Sequence, residues 1–81
     1  MRLPRDVSGT DLAHALARHG YVVTRQTGAH LRLSREGADG THHITIPAHK
    51  ALRAGTLSAL LRAVGQHLGM TRDDLVRDLF G

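Results

Sequence analysis

Two short runs, Ala-His-Leu-Arg-Leu-Ser at 29–34 and Thr-His-His-Ile-Thr-Ile at 41–46, constrain this 81-residue chain more than anything else in it. The first alternates without a break, with Ala29, Leu31 and Leu33 on one side and His30, Arg32 and Ser34 on the other. Set antiparallel with Ser34 against Thr41, the runs bring Leu31 opposite Ile44 and Ala29 opposite Ile46. The same register sets His30 against Thr45 and Arg32 against His43. A one-residue slip would turn every apolar side chain to the wrong face. The pattern predicts a sheet with one buried face and one polar face, and His30 belongs to the polar one.

The flanking segments supply what covers the buried face. "YVVTRQ" at 21–26 is β-branched and aromatic and reads as a first strand, joined to the next through a turn at Thr27-Gly28. Extended through that turn, the register sets Arg25 opposite His30 and leaves Tyr21 and Val23 on the open face. "REGADG" at 35–40 reads as a loop, and Pro47 ends the third strand. Upstream, Ser8 to Asp11 is a capping box ahead of "LAHALARHG", where Leu12 and Leu16, beside Ala13 and Ala17, form an apolar stripe that stops at Gly20. Downstream, Leu57, Leu60, Leu61 and Val64 recur at helical spacing with Thr56 as the candidate cap. Thr71 to Asp74 opens a last short helix carrying Leu75, Leu79 and Phe80. The order helix, three-stranded antiparallel meander, helix, short helix is α+β, with the helices on one face of the sheet. The length fits a single domain over residues 1–81, and without cysteine the core has no disulfide to support it.

Charge narrows the partners. Residues 1–55 hold eight Lys/Arg against four Asp/Glu, whereas residues 56–81 hold three of each. The whole net charge of +4, and six of the seven histidines, therefore lie in the first two-thirds, a distribution suited to a polyanion such as nucleic acid. Ten of the eleven basic residues are Arg, so a compositional bias toward arginine is the competing explanation. Tyr21 and Phe80 are the only Phe, Tyr or Trp, which removes the stacking platform of single-strand base readers and favours contacts to phosphate and ribose. No apolar run reaches membrane-spanning length, and a cytoplasmic location without a membrane partner is expected.

Histidine is a poor default for a strand, so His30 behind a glycine turn stands out. Cleaving RNA requires taking a proton from a ribose 2′-hydroxyl and giving one to the leaving 5′-oxygen, and an imidazole titrating near neutrality can do either. Arg25 or Arg32 would hold the scissile phosphate. His42 and His43 are adjacent on a strand and point to opposite faces, so neither a metal site nor any other cofactor is expected. His43 joins His30 on the open face, as a second acid–base group or as a solvated residue. Lys50 and Arg53 precede the Gly55-Thr56 helix start, whose free N–H groups make a phosphate contact; the bland alternative is a plain connecting loop. His14, His19 and His67 read as solvated helix positions.

The strings "VSGTDLAHALARHGYVVTRQTGAH", "ITIPAHKALRAGTL" and "MTRDDLVRDL" resemble the HicA family of bacterial toxins, over about residues 7 to 80. Arg-Gln-x-Gly-x-His and Pro-x-His-Lys-x-Leu-x-x-Gly-Thr-Leu occur together, in order and at family-like spacing. The resemblance implies a double-stranded-RNA-binding-domain-like fold, ribosome-independent cleavage of mRNA, a HicB-like antitoxin partner, and His30 as the essential histidine. Two departures stand out. Ala29 replaces the usual Ser, a loss expected to be structural because Ala29 falls on the core side, and "AVGQHLGMTRDDL" is longer than the usual connection to the last turn. A non-catalytic RNA-binding module of the same fold is the alternative, as is a decayed member that serves only as an interaction partner.

Overall fold

The computed structural model describes residues 2–81. Helix α1 (Gly9–Leu16) runs into a 3-10 turn (Ala17–His19), followed by strands β1 (Val22–Thr27), β2 (His30–Gly37) and β3 (Gly40–Pro47), then helices α2 (Ala54–Leu68) and α3 (Arg72–Phe80). The strands form one antiparallel sheet in the order β1-β2-β3. This is the double-stranded-RNA-binding-domain-like α+β arrangement, with the helices packed on one sheet face and the other face open.

Each helix starts where its local chemistry satisfies free backbone groups. Ser8 accepts from the Asp11 N–H while Asp11 accepts from the Ser8 N–H, a complete capping box. Thr71 caps α3 by accepting from the Asp74 N–H. Helix α2 differs from expectation: it begins one residue before Gly55, its cap is Arg53, and no side chain covers the first-turn N–H groups. Thr56 thus lies inside the helix rather than at its cap. Gly20 and Gly69 close the 3-10 turn and α2 in left-handed backbone, with φ of 88° and 71°.

The buried side chains of α1 (Leu12, Ala13, Leu16), α2 (Leu57, Leu61, Val64) and α3 (Leu75, Val76, Leu79) meet Leu31, Leu33, Ile44 and Ile46 of the sheet. Ala17, expected in the α1 stripe, is exposed because the helix has tightened to 3-10 geometry by that point. Tyr21, expected on the open face, is almost fully buried just ahead of β1. Val23, expected there too, pairs with the core residue Leu33 and is exposed only because β1 is an edge strand.

Both hairpin registers differ from expectation. Leu33, not Leu31, faces Ile44, Ser34 faces His43, and Arg32 faces Thr45. This is a shift of two residues, which keeps every side chain on its face and so leaves no mark on the alternation. The turn decides it. "REGADG" is mostly strand: β2 continues to Gly37 and β3 restarts at Gly40, whose φ of +115° lets Ala38-Asp39 close the hairpin alone. In the first hairpin the two turn residues are Gly28 and Ala29, with φ +53° at Gly28, the glycine-first arrangement of a II′ turn. Arg25 therefore faces Arg32, not His30, and Ala29 is an exposed turn residue rather than a core one. The loss of a serine hydroxyl at that position is a change at a turn tip.

The segment after β3 is fastened to that tip. Ala48 N–H donates to the Ala29 carbonyl at 2.6 Å, Gly9 N–H to His49 at 3.0 Å, and Leu52 N–H to Val7 at 2.7 Å. Gly9 is required at the α1 start because a β-carbon there would run into the Pro47 carbonyl oxygen. The first hairpin, the β3–α2 segment and the α1 N-terminus thus form one fixed corner of the fold, and His30 stands on it.

Candidate active site on the open sheet face

His30 is the first residue of β2, opposite Pro47, and is exposed. Its ring has no hydrogen-bond or ion-pair partner among the described residues, so both nitrogens are available to a ligand. Two residues along the same face stands Arg32, with Arg25 directly across on β1. A β-bulge explains Arg25. The register shifts between Val23 and Arg25, and the extra residue Thr24 rotates Arg25 onto the open face beside Arg32. Like charges directly opposite cost stability in a sheet. Neither guanidinium has an acidic partner among the described residues, so the pair is a cost to folding that a bound anion would offset.

His43 is also on this face but is placed by Ser34, whose Oγ lies 2.6 Å from His43 Nδ1. Ser34 is four residues from His30 on β2, which puts His43 about 13–14 Å along the strand from His30. One phosphodiester cannot reach both imidazoles, so the pairing of His43 with His30 as acid and base is not what the geometry supports. Lys50 and Arg53 are exposed in the segment that follows Pro47, and Arg53 caps the bare N-terminus of α2. They flank the His30 corner without joining the arginine pair. The site is a surface: no enclosed pocket lies among the described residues. Nor do three or more of His, Asp and Glu converge there as a metal-binding group.

The other polar cluster, hidden from sequence reading, lies at the opposite end of the core. His42 projects inward, where its Nδ1 sits 2.6 Å from the Tyr21 hydroxyl and its ring stacks on His67 at 4.4 Å between centroids. Arg35 donates from Nε to the His19 carbonyl at 2.6 Å, and its guanidinium lies 3.2 Å from His67 Nε2. His19 Nε2 in turn meets Asp78 of α3 at 2.5 Å. His19 and His67 are thus half-buried clasps between layers rather than solvated positions. The sequence did carry one signal: His42 falls in phase with Ile44 and Ile46, on the apolar side of its strand.

Arg35 always carries its protons, so His67 Nε2 accepts from it. Burial raises the Tyr21 phenol above its ordinary value despite the nearby Arg35 charge, so its O–H donates to His42 Nδ1. Burial first, then the neighbouring His67, His43 and Arg35 charges, lowers His42 below the usual histidine value. A histidine lowered by folding binds its proton more readily when unfolded, so its contribution is present above pH about 6.5 and is lost as pH falls through that value. We expect the melting temperature to drop between about pH 7.5 and 5.5, and to drop less in His42→Phe. Facing this ring are Tyr21, Arg35 and His67, with His19 and Asp78 behind Arg35, so the comparison of the two slopes isolates His42. Equal slopes would refute the assignment.

A sequence model of the family described as the HicA toxin of bacterial toxin–antitoxin matches residues 9–66. The match spans α1, the whole sheet and nearly all of α2, and leaves α3, where the resemblance extends further, outside it. No curated protein and no solved structure matches the chain. Among the described residues, no helix is long and apolar enough to cross a membrane. With the family's matched segment covering well over half of its length, the chain belongs to the HicA toxin family.

Proposed function

We propose that this protein is a metal-independent RNA endonuclease, an mRNA interferase, that a HicB-like antitoxin neutralises in the cytoplasm. One observation carries the reading: an exposed histidine on a rigid corner, next to two arginines that face each other, all three without a side-chain partner or counter-charge among the described residues. His30 takes the proton of a ribose 2′-hydroxyl, and the 2′-oxygen attacks the adjacent phosphorus. Arg25 and Arg32 hold the non-bridging oxygens as charge builds on them. The bond to the 5′-oxygen breaks, that oxygen takes a proton from water, and the products are a 2′,3′-cyclic phosphate and a 5′-hydroxyl. Lys50, Arg53 and the bare first-turn N–H groups of α2 bind phosphates beyond the scissile one. An antitoxin that covers the open face would block all of these contacts together.

The test is cleavage of a defined RNA in the presence of a chelator, with the fragment ends identified. Cutting that continues without divalent metal and leaves 2′,3′-cyclic phosphates is the expected result. A single 2′-deoxy substitution at the cut site should abolish it. Fragments with 5′-phosphates, or activity lost to the chelator, would overturn the mechanism. Tight RNA binding without cutting would instead make the protein a non-catalytic RNA-binding module.

A further inference from the structure

We propose that the open sheet face is a track for extended single-stranded RNA, in which His43, held by Ser34, binds the backbone two steps beyond the phosphate at His30. The proposal rests on the reading of His30 as the cleavage centre. Along β2 the open face presents His30, Arg32 and Ser34 at two-residue intervals, with Arg25 across from Arg32 and His43 across from Ser34. That interval is about 6.6–6.8 Å. It is comparable to the distance between neighbouring phosphates along one strand, so the row can engage successive backbone steps of a strand laid along it. A duplex strand curves away from a flat surface and would meet one step of the row. The face offers no Phe, Tyr or Trp ring to bases, because Tyr21 is buried and Phe80 lies on α3, so recognition falls chiefly on phosphate and ribose.

The proton inventory shows what His43 offers. The Thr24 hydroxyl donates to the Arg32 carbonyl at 3.3 Å. Its oxygen is 3.5 Å from Ser34 Oγ, whereas His43 Nδ1 is 2.6 Å from the same atom. With Ser34 as the donor across this shorter contact, the neutral ring carries its own proton on Nε2. If the ring is protonated, Nε2 still carries one. Either way His43 presents a fixed N–H donor to solvent, suited to a phosphate oxygen. The same bulge that turns Arg25 outward supplies Thr24 to this chain, so one irregularity builds two steps of the track. Glu36, next on the same face and opposite Thr41, ends it, since a carboxylate repels a further phosphate.

His43 is thus a positioning residue, and the expected signature is a change in KM rather than kcat. His43→Ala should raise KM about tenfold, with kcat within about twofold of wild type, because a hydrogen bond to a charged group is lost. His43→Gln, which keeps an N–H donor, should recover most of the loss. Binding of a fully 2′-deoxy, uncleavable oligonucleotide gives a readout independent of catalysis, so it stands even if wild type does not cut. In a series shortened from each end, wild type should lose affinity at one length where His43→Ala shows no further loss. A blunt RNA duplex of equal length should bind more weakly than the single strand. Unchanged binding by His43→Ala at every length, a drop in kcat at constant KM, or preference for the duplex would each overturn the track.

Discussion

His30→Ala should cut RNA at least about 100-fold more slowly than wild type, within the roughly 10²–10⁴ range that one positioned acid–base group supplies. The fold should be indifferent to the change. His30 is exposed, has no partner among the described residues, and sits at the end of a strand held by backbone bonds that the substitution keeps. Its stability should therefore stay within about 0.5 kcal/mol of wild type. RNA affinity should also stay near wild type, because Arg25 and Arg32 remain in place. His30→Gln sharpens the test: it retains size and polarity but accepts no proton near neutrality, so it should be as slow as the alanine variant. A folded His30→Ala that cuts within a few-fold of wild type would remove the general base from the mechanism. The effect should be large and not total, since this histidine has no second side chain to orient it, unlike a nucleophile–base pair set by a third group.

How far this site could be read in advance depends on what each part of it leaves in the sequence. The faces of β2 and β3 were legible, because alternation has period two and His30, Arg32 and Ser34 share one phase. The register was not, because a shift of two residues preserves that phase; only the turn at Ala38-Asp39 separates the alternatives, and a loop-like composition hid it. Arg25 reached the right face for the wrong reason. The expected pairing with His30 needed a turn at Thr27-Gly28, whereas the observed pairing with Arg32 needs the bulge at Thr24, which no local residue type announces. The capping box at Ser8, the Thr71 cap and the apolar stripes are encoded within a few residues and were readable, although Asp74 makes no return bond to Thr71. The Tyr21–His42–His67–Arg35 cluster joins the start of β1, both other strands and α2, and no short window contains it.

The division of labour between the two sheet faces makes a second prediction, drawn from neighbours in sequence. Leu33 is fully buried on β2, facing Val23 on one side and Ile44 on the other, against the helices. Truncating it to alanine should cost about 2–5 kcal/mol, the transfer energy of the lost methyls plus the cavity they leave. An 81-residue chain has roughly 4–12 kcal/mol of stability in total, so Leu33→Ala should bring it close to unfolding near body temperature. Arg32, one residue earlier, projects to the opposite face and makes no ion pair among the described residues. Arg32→Ala should change stability by no more than about 0.5 kcal/mol, and relief of the Arg25 repulsion pushes that change toward stabilisation. Its loss should appear in RNA affinity instead, with a shallower salt dependence as one phosphate contact disappears. Urea unfolding read at constant m separates the two variants, because a shift of midpoint alone reports stability. Equal losses of stability in the two variants would mean that both side chains support the core. A sheet with one face for folding and one for RNA requires that stability and affinity part company between residues 32 and 33.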